Sequence, residues 1–274
     1  MPELPEVKVV VNALKEKVLN KIIKDIIVLK PKLFKEDSID DFKLALKNAT
    51  IKNIENKGKH IIFKFNNDTI LISHLRMEGK YRFYNKSTEN HKHLMMKFIF
   101  DDKSELHYLD SRMFGTFHLR TNKNYNLLLP LSKIANEPKD IDVNNLYDKL
   151  QKTTTAIKTK LLDQTLVAGL GNIYVDEALF ASGVSPISPS KNISKKKLLE
   201  ILTNAQKIMD KSFELGGSTI HTYESLNNKT GEFQNYLKIH SDKIKKCLSC
   251  KTEIIKIKLN GRGTYICPHC QKEY

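Results

Sequence analysis

Hydrophobic and polar positions along the first 110 residues predict one helix followed by a series of strands. Within residues 4–18, apolar side chains recur at three- and four-residue spacing, as on one face of a helix. Short β-branched and aromatic runs with partial alternation follow, at residues 22–30, 51–56, 60–65, 69–75, 94–100 and 105–110. A short helix within residues 37–48 interrupts them. Many short strands with so little helix between them favour an antiparallel β-sandwich.

The pattern becomes helical in the second half of the chain. Residues 133–145 mix proline, asparagine and acidic residues, which is typical of a linker. Apolar positions at helical spacing then fill residues 145–153, 155–164, 171–183 and 194–217. The sequence thus predicts an α+β multidomain protein. Its parts are an N-terminal catalytic β-sandwich domain, a linker, a helical domain and a C-terminal hairpin, at residues 1–132, 133–145, 146–236 and 237–274.

The four cysteines form two pairs near the end of the chain, Cys247 with Cys250 and Cys267 with Cys270. Two residues lie within each pair and 16 between the pairs, which is the spacing of a structural zinc site with a closed tetrahedral shell. The intervening residues predict two strands joined at Asn260-Gly261. Disulfides and a redox-active pair are the disfavoured alternatives. We therefore expect a zinc ribbon that holds one structural zinc ion.

Composition narrows the class of protein. The 274 residues contain no apolar stretch long enough to span a membrane, and no signal peptide is recognisable, so we expect a cytoplasmic protein. A formal charge of +15 favours a polyanionic partner. Only five of the 46 basic residues are arginine, however. The alternative explanation of the positive charge is that an AT-rich genome encodes many lysines, which lie on solvated surfaces without binding a partner. Each arginine is therefore a stronger indication of a specific contact, because lysine cannot supply the planar fork of a guanidinium group.

The first seven residues, MPELPEV, have two interpretations. In one, Pro5 occupies the first position of a helix and Glu6 complements the positive end of the helix dipole. In the other, removal of Met1 leaves Pro2 as a free secondary amine. These seven residues alone favour the simple helix start.

Several motifs in a fixed order resemble the formamidopyrimidine-DNA glycosylase family. They are MPELPEV, KGKH, SHLRMEGKYR, LDSRMFGTF, TAIKTKLLDQTLVAGLGNIYVDEALF, GGSTIHTY, GEFQNYL and the four-cysteine ribbon with NGRGT. Their spread over residues 1–270 makes the resemblance specific. It implies a helix–two-turn–helix DNA-binding domain with a lesion loop within residues 146–236. Duplex DNA would lie in a positively charged cleft between the two halves of the chain.

The resemblance also implies a bifunctional glycosylase and AP lyase that removes oxidised purines in base-excision repair. Pro2 would attack C1′ of the damaged nucleotide, because a secondary amine can form an iminium that acts as an electron sink. Glu3 would move protons at the opening deoxyribose, and Glu6 would order the N-terminus. Lys59 would donate a proton in β-elimination, and Arg262 would assist δ-elimination.

Further residues match DNA-contacting positions of the family. Met77, Arg112 and Phe114 match the triad that fills the gap left by a flipped nucleotide. The positions that match phosphate contacts are His74, His93, Lys158 and Asn172. Asn172 begins a predicted helix, where it also suits the role of a cap. His221 stands where the family usually has arginine, so we expect weaker or more pH-dependent lesion capture.

The expected partner is double-stranded DNA that contains oxidised purines or abasic sites, bound by a monomer without membrane association. Two alternatives remain open: an oxidised-pyrimidine glycosylase of the same superfamily, and a non-catalytic protein that binds damaged DNA. A ribbon that contacts only protein is the less favoured alternative to one that lies against a phosphate backbone. A zinc-ribbon protein that binds RNA is the least favoured, because it leaves the N-terminal motif unexplained.

Overall fold

The computed structural model describes residues 2–36, 38–218, 226 and 230–274. The chain forms two compact units. The first, here the sandwich unit, consists of residues 1–132 and 216–232, and the second, here the ribbon unit, of residues 133–215 and 233–274. The chain therefore leaves the sandwich unit, returns to it once and leaves it again.

Among its described residues, the sandwich unit contains two α-helices, α1 (Leu4–Val18) and α2 (Ile39–Leu46), and eight strands. The strands are β1 (Ile23–Val28), β2 (Ile51–Lys57), β3 (His60–Phe65), β4 (Thr69–His74), β5 (Lys80–Tyr84), β6 (Leu94–Phe100), β7 (Glu105–Leu109) and β8 (Thr116–Thr121). They form two four-stranded antiparallel sheets, ordered β1-β6-β7-β5 and β2-β3-β4-β8. The predicted antiparallel sandwich with one preceding helix is confirmed.

Two of the eight strands, β5 and β8, were absent from the sequence prediction. Lys80 and Arg82 interrupt the apolar run of β5, although Tyr81 and Phe83 are buried at alternating positions. In β8 the buried and half-buried positions come in pairs, which obscures the two-residue period. Both strands are fixed by pairing with a neighbour, β5 with β7 and β8 with β4.

The core of the sandwich unit explains why α1 lies where it does. Val7, Val10, Leu14 and Val18 are almost completely buried, as their helical spacing predicted, and α1 packs against β2 and β3. Leu226, from the segment by which the chain returns, is buried in the same core. Burial of apolar area is the main source of stability here, at about 25 cal/mol per Å².

The ribbon unit contains four helices and one hairpin among its described residues: α3 (Val143–Leu150), α4 (Ile157–Leu161), α5 (Asn172–Ala181), α6 (Lys195–Glu214), β9 (Ile255–Leu259) and β10 (Arg262–Ile266). α5 packs against both α6 and β10, so the central helix supports the hairpin. Asn260 and Gly261 both have positive φ, which is the two-residue hairpin turn that the sequence predicted. Across the described chain, every helix is too short or too polar to cross a bilayer.

Candidate active site and nucleic-acid interface

The candidate nucleophile lies at the start of α1. Pro2 and Glu3 are both buried. The Glu6 carboxylate accepts a hydrogen bond from the backbone N–H of Glu3 at 2.8 Å and another from the backbone N–H of Ser218 at 2.8 Å. One carboxylate therefore fixes the N-terminal segment and ties it to a segment 212 residues away. Glu6 therefore lies at the start of a helix and also orders the N-terminal segment, so the two interpretations are compatible.

Glycine at position 217 suits this tie. Its φ is +87°, a conformation that side chains with a Cβ rarely adopt. A Cβ at this position would lie 3.1 Å from Cγ of Glu6. The positive φ and this close approach to Glu6 together favour glycine at position 217.

Lys59 follows Gly58 in the hairpin between β2 and β3 and is buried. His60 and His74 pair across β3 and β4, with their rings edge to face at 4.6 Å. Burial, with added repulsion from His60, Arg76 and Lys59, lowers the pKa of His74 well below its ordinary value. Nδ1 of His74 accepts a hydrogen bond from the backbone N–H of Arg76 at 2.9 Å. A neutral His74 with this bond carries its proton on Nε2, which can donate to a phosphate oxygen.

The three residues of the predicted gap-filling triad stand on two loops of the sandwich unit. Met77 is 41% exposed and Phe114 is 52% exposed, both high values for large apolar side chains. The Arg112 guanidinium lies 4.7 Å from the centre of the Phe114 ring. Met77 and Phe114 line the same cavity of about 540 Å³. Such exposed apolar side chains are available to wedge between bases.

Asp110 and Tyr108 shape the loop that presents Phe114. The Asp110 carboxylate accepts hydrogen bonds from the backbone N–H groups of Arg112, Met113 and Gly115 at 2.8–3.0 Å. A Cβ at Gly115 would lie 1.8 Å from the Tyr108 hydroxyl, so only glycine fits there. Neither Asp110 nor Tyr108 had a role predicted from the sequence. Asp110 was recognisable in the motif LDSRMFGTF, since aspartate readily caps the N–H groups that follow it.

In the ribbon unit, Lys158 is engaged inside the protein. Its side chain is 1% exposed, and Nζ lies 2.7 Å from Oδ1 of Asp176, which is fully buried. Nζ also donates to the Thr264 hydroxyl at 2.8 Å and to the Gly263 carbonyl at 3.2 Å. Lys158 thereby joins α4 and α5 to strand β10. A direct phosphate contact by Lys158 stays a prediction.

Asn172 and Arg262 lie beside this network. Asn172 is the first residue of α5, and Gly171 occupies the cap position, so the interpretation of Asn172 as a helix cap was wrong. Its side-chain amide instead donates to the Gly263 carbonyl at 2.9 Å. Arg262 is exposed at the start of β10 and lines a cavity of about 290 Å³ together with Lys158 and Asn260. Two side chains from helices thus hold the strand that carries Arg262.

Asp176 is the residue of this network that was not predicted from the sequence. Its second oxygen, Oδ2, lies 2.7 Å from Nδ1 of His240 and accepts a hydrogen bond from the backbone N–H of Tyr265 at 3.3 Å. A single buried carboxylate therefore connects α5 with Lys158, with residue 240 and with β10. The helical spacing predicted only that α5 exists, and it gave no sign of which polar residue faces inward.

The four cysteine sulfurs are placed to bind one metal ion. All four Sγ atoms lie within 4.8 Å of one another, with separations of 3.8 Å for Cys247–Cys270 and 3.4 Å for Cys250–Cys267. Tetrahedral zinc with Zn–S bonds of about 2.3 Å requires sulfur separations of about 3.8 Å. These distances are far longer than a disulfide bond, and all four cysteines are free. The donor set therefore fits zinc.

The structure gives less information about two of the predicted DNA-contacting residues, His93 and His221. His93 is half-buried, and its ring lies 5.6 Å from that of His91. His221 lies outside the described residues, so its role as a departure from the family pattern stays a prediction. The catalytic roles of Pro2, Glu3 and Lys59 likewise remain predictions, although all three are buried in the sandwich unit.

Three family models together match most of the chain. They are described as the formamidopyrimidine-DNA glycosylase N-terminal domain at residues 1–117, the formamidopyrimidine-DNA glycosylase H2TH domain at residues 134–224, and a zinc finger found in FPG and IleRS at residues 245–272. The third match, with the cysteine geometry, confirms the predicted zinc ribbon and its single ion.

Relatives and solved structures are similar over nearly the full length. Proteins named formamidopyrimidine-DNA glycosylase from Mycoplasmopsis pulmonis and Mycoplasma mobile are 52% and 51% identical, with 99% or more of this chain and 99% of each relative covered. A complex of Lactococcus lactis Fpg with DNA that contains an abasic site is 38% identical, with a TM-score of 0.93 over 99% of this chain and 100% of that one. A variant of the same protein bound to Fapy-dG-containing DNA also gives a TM-score of 0.93. The predicted multidomain fold is therefore confirmed.

Proposed function

Because the chain belongs to the formamidopyrimidine-DNA glycosylase family, and so is a DNA glycosylase of base-excision repair, we propose that it excises oxidised purines through Pro2 and then cuts the strand. The substrates would be 8-oxoguanine and formamidopyrimidines in duplex DNA, and abasic sites. The observation that carries the proposal is the anchorage of the Pro2-Glu3 segment by Glu6. A nucleophile has to be held in position before it can attack a single carbon atom.

The proposed chemistry begins once Met1 has been removed. The Pro2 nitrogen attacks C1′, the glycosidic bond breaks, and the base leaves with a proton. The bond from C1′ to the ring oxygen then breaks, the oxygen takes a proton from the Glu3 carboxyl, and the nitrogen lone pair forms the iminium. Loss of a C2′ proton expels the 3′ phosphate, and a second elimination expels the 5′ phosphate. Water releases the sugar fragment and restores the Pro2 amine.

The remaining candidates would serve this sequence in two ways. Lys59 and Arg262 would assist the β- and δ-eliminations, and Met77, Arg112 and Phe114 would occupy the gap in the duplex while the lesion is flipped out. Zinc bound to the four cysteines would supply structural support for the hairpin. A monomer acting on chromosomal DNA in the cytoplasm is the expected working form.

Borohydride trapping tests the nucleophile. Wild type should give a covalent protein–DNA crosslink on a duplex with 8-oxoguanine opposite cytosine, because borohydride reduces the iminium to a stable amine. Pro2→Gly should lose most of the crosslink, whereas Pro5→Ala, at the first turn of the same helix, should keep it. Mass spectrometry should first establish that Met1 is absent from each protein.

Two results would contradict the proposal. Tight binding to the duplex with no crosslink, from protein that lacks Met1 and holds zinc, would identify a non-catalytic binder of damaged DNA. Faster excision of thymine glycol than of 8-oxoguanine would identify an oxidised-pyrimidine glycosylase.

A further inference from the structure

A groove of about 480 Å³ lies in the ribbon unit between the end of α5, the C-terminal half of α6 and residues 233–238. Phe180, Ile208 and Phe233 contribute apolar surface to it, and Phe233 is almost fully buried. Tyr236 and Leu248 line the same groove with 47% and 54% of their surface exposed. Contiguous exposed apolar surface of this kind marks a binding site more often than an ordinary stretch of surface.

Among the described residues that line the groove, the charged side chains are three lysines and one glutamate. Lys207, Lys211 and Lys238 line it and are exposed. Lys211 also pairs with Glu214 at 3.1 Å, but both side chains are more than half exposed, so the pair is weak and readily exchanged. The groove thus combines an apolar floor with three ammonium groups.

Among the described residues that line the groove, Glu177 is the one acidic residue, and its carboxylate is already occupied by hydrogen bonds. Its carboxylate accepts hydrogen bonds from the backbone N–H groups of residues 238, 239 and 240 at 2.8–3.1 Å. The side chain is 4% exposed. Glu177 therefore fixes the wall of the groove and leaves the lysines to attract an anion.

The groove is separate from the residues expected to contact DNA in the same unit. Lys158 and Arg262 line a different cavity, and the described residues that line the two cavities do not overlap. A ligand in the groove would consequently leave those DNA contacts available.

We propose that this groove docks an acidic segment of a partner protein that carries an aromatic or large aliphatic side chain. The apolar side chain fills the floor between Phe233 and Leu248, and flanking carboxylates meet Lys207, Lys211 and Lys238. The two features act together. Burial of an apolar group on the floor supplies binding energy, and the lysines select a segment of opposite charge. The docked partner brings the glycosylase to DNA without occupying its DNA-binding residues.

Fluorescence anisotropy with a labelled peptide of four aspartates followed by leucine and phenylalanine tests the proposal on the full-length, zinc-loaded protein. The peptide should bind wild type, and affinity should fall roughly tenfold or more in Lys207→Glu/Lys211→Glu and in Tyr236→Ala. Lys195→Glu/Lys196→Glu is the matched control, because it makes the same charge change on exposed positions of α6 outside the groove. It should bind the peptide nearly as well as wild type. All variants should keep wild-type affinity for lesion-free duplex at moderate salt.

Several outcomes would overturn the proposal. Equal loss of affinity in both charge variants would mean that the peptide responds only to net charge. Equal binding of a peptide with serines in place of leucine and phenylalanine would mean that the apolar floor is unused. Self-association of wild type that Tyr236→Ala abolishes would show that a second copy of this chain occupies the groove. Failure of the peptide to bind would also reject it, and none of these results bears on borohydride trapping.

Discussion

At the scale of single residues, the paired imidazoles of His60 and His74 show how burial sets protonation beside the candidate active site. Burial, followed by repulsion from Arg76 and His118, lowers the pKa of His60 to about 4. The pKa of its partner His74 is lowered as well. Both rings are therefore neutral at physiological pH, and they do not compete with Lys59 for phosphate through charge.

We expect acid to destabilise the sandwich unit through this pair. The unfolded chain takes up the His60 proton near pH 6.5, whereas the folded chain does so only near pH 4. The unfolded state binds more protons between these values, so stability falls as the pH drops from about 6.5 to about 4, by up to about 3 kcal/mol for His60. Urea unfolding of wild type and His60→Gln across this range measures the difference, and His60→Gln should show the shallower slope.

His93→Gln serves as the control for that comparison, because His93 is only half-buried on the same unit. It should follow the wild-type pH dependence. Identical slopes for wild type and His60→Gln would show that other groups account for the acid sensitivity.

Residue types in motifs were easier to predict than their partners. Glu6 was identified from its place at a helix start, and its carboxylate accepts a hydrogen bond from the backbone N–H of Glu3 there. Its contact with Ser218 was not predictable, because nothing in either local pattern links positions 212 residues apart. Asp176 escaped notice for a related reason: a helical period identifies apolar faces, but a buried carboxylate breaks that period.

At the scale of elements, the hairpin β9–β10 depends on a buried ion pair as well as on metal. Lys158 and Asp176 are both buried, and together they hold three consecutive positions of β10, from Gly263 to Tyr265. Removing one member of such a pair leaves the other charge buried without compensation. The strand that carries Arg262 is therefore sensitive to a residue on α5.

Asp176→Asn should loosen β10, with a loss of local stability of about 3–5 kcal/mol. Hydrogen exchange of the β9 and β10 amides is the measurement, and affinity for abasic DNA should fall with it. Asp242→Asn is the matched control, since it breaks the exposed Lys256–Asp242 pair on the same hairpin and should change exchange little. Combining Asp176→Leu with Lys158→Met should restore part of the protection. Unchanged exchange in Asp176→Asn would rule out this support for β10.

The ends of helices and strands could be predicted from the sequence where a single signal, such as a helix cap or a turn, marks them. Helix α6 begins after Ser194, whose hydroxyl accepts from the backbone N–H of Lys197, and its apolar period is regular. The hairpin turn at Asn260-Gly261 was equally clear. Strands β5 and β8 lacked such a signal, since pairing with β7 and β4 decides their conformation.

At the scale of the whole molecule, the two units should respond differently to loss of metal. Incubation with a strong chelator should release one zinc ion per chain and expose the amides of β9 and β10, because the ribbon has a small core of its own. The amides of β3, β4 and β7 should stay protected, since the four cysteines that form the metal site all lie in the ribbon unit and the described core of the sandwich unit does not include them. Hydrogen exchange combined with a colorimetric zinc assay measures both effects.

Cys250→Ser is the genetic counterpart of chelation, and Ser249→Ala, one residue away, is its control. DNA affinity should drop in the first and persist in the second. Release of zinc without any change at β9 and β10 would show that the hairpin is held by its protein contacts alone.

The return of the chain to the sandwich unit has a consequence for synthesis on the ribosome. Leu226 completes the core, and the Ser218 N–H completes the set of donors around Glu6. At about 5–20 residues per second, roughly 10–40 s of translation separate Glu6 from Ser218. A nascent chain therefore carries its N-terminal segment for most of its synthesis without that tie. The anchorage proposed for Pro2 is therefore finished only after Ser218 has been made, long after the strands of the sandwich unit have left the ribosome.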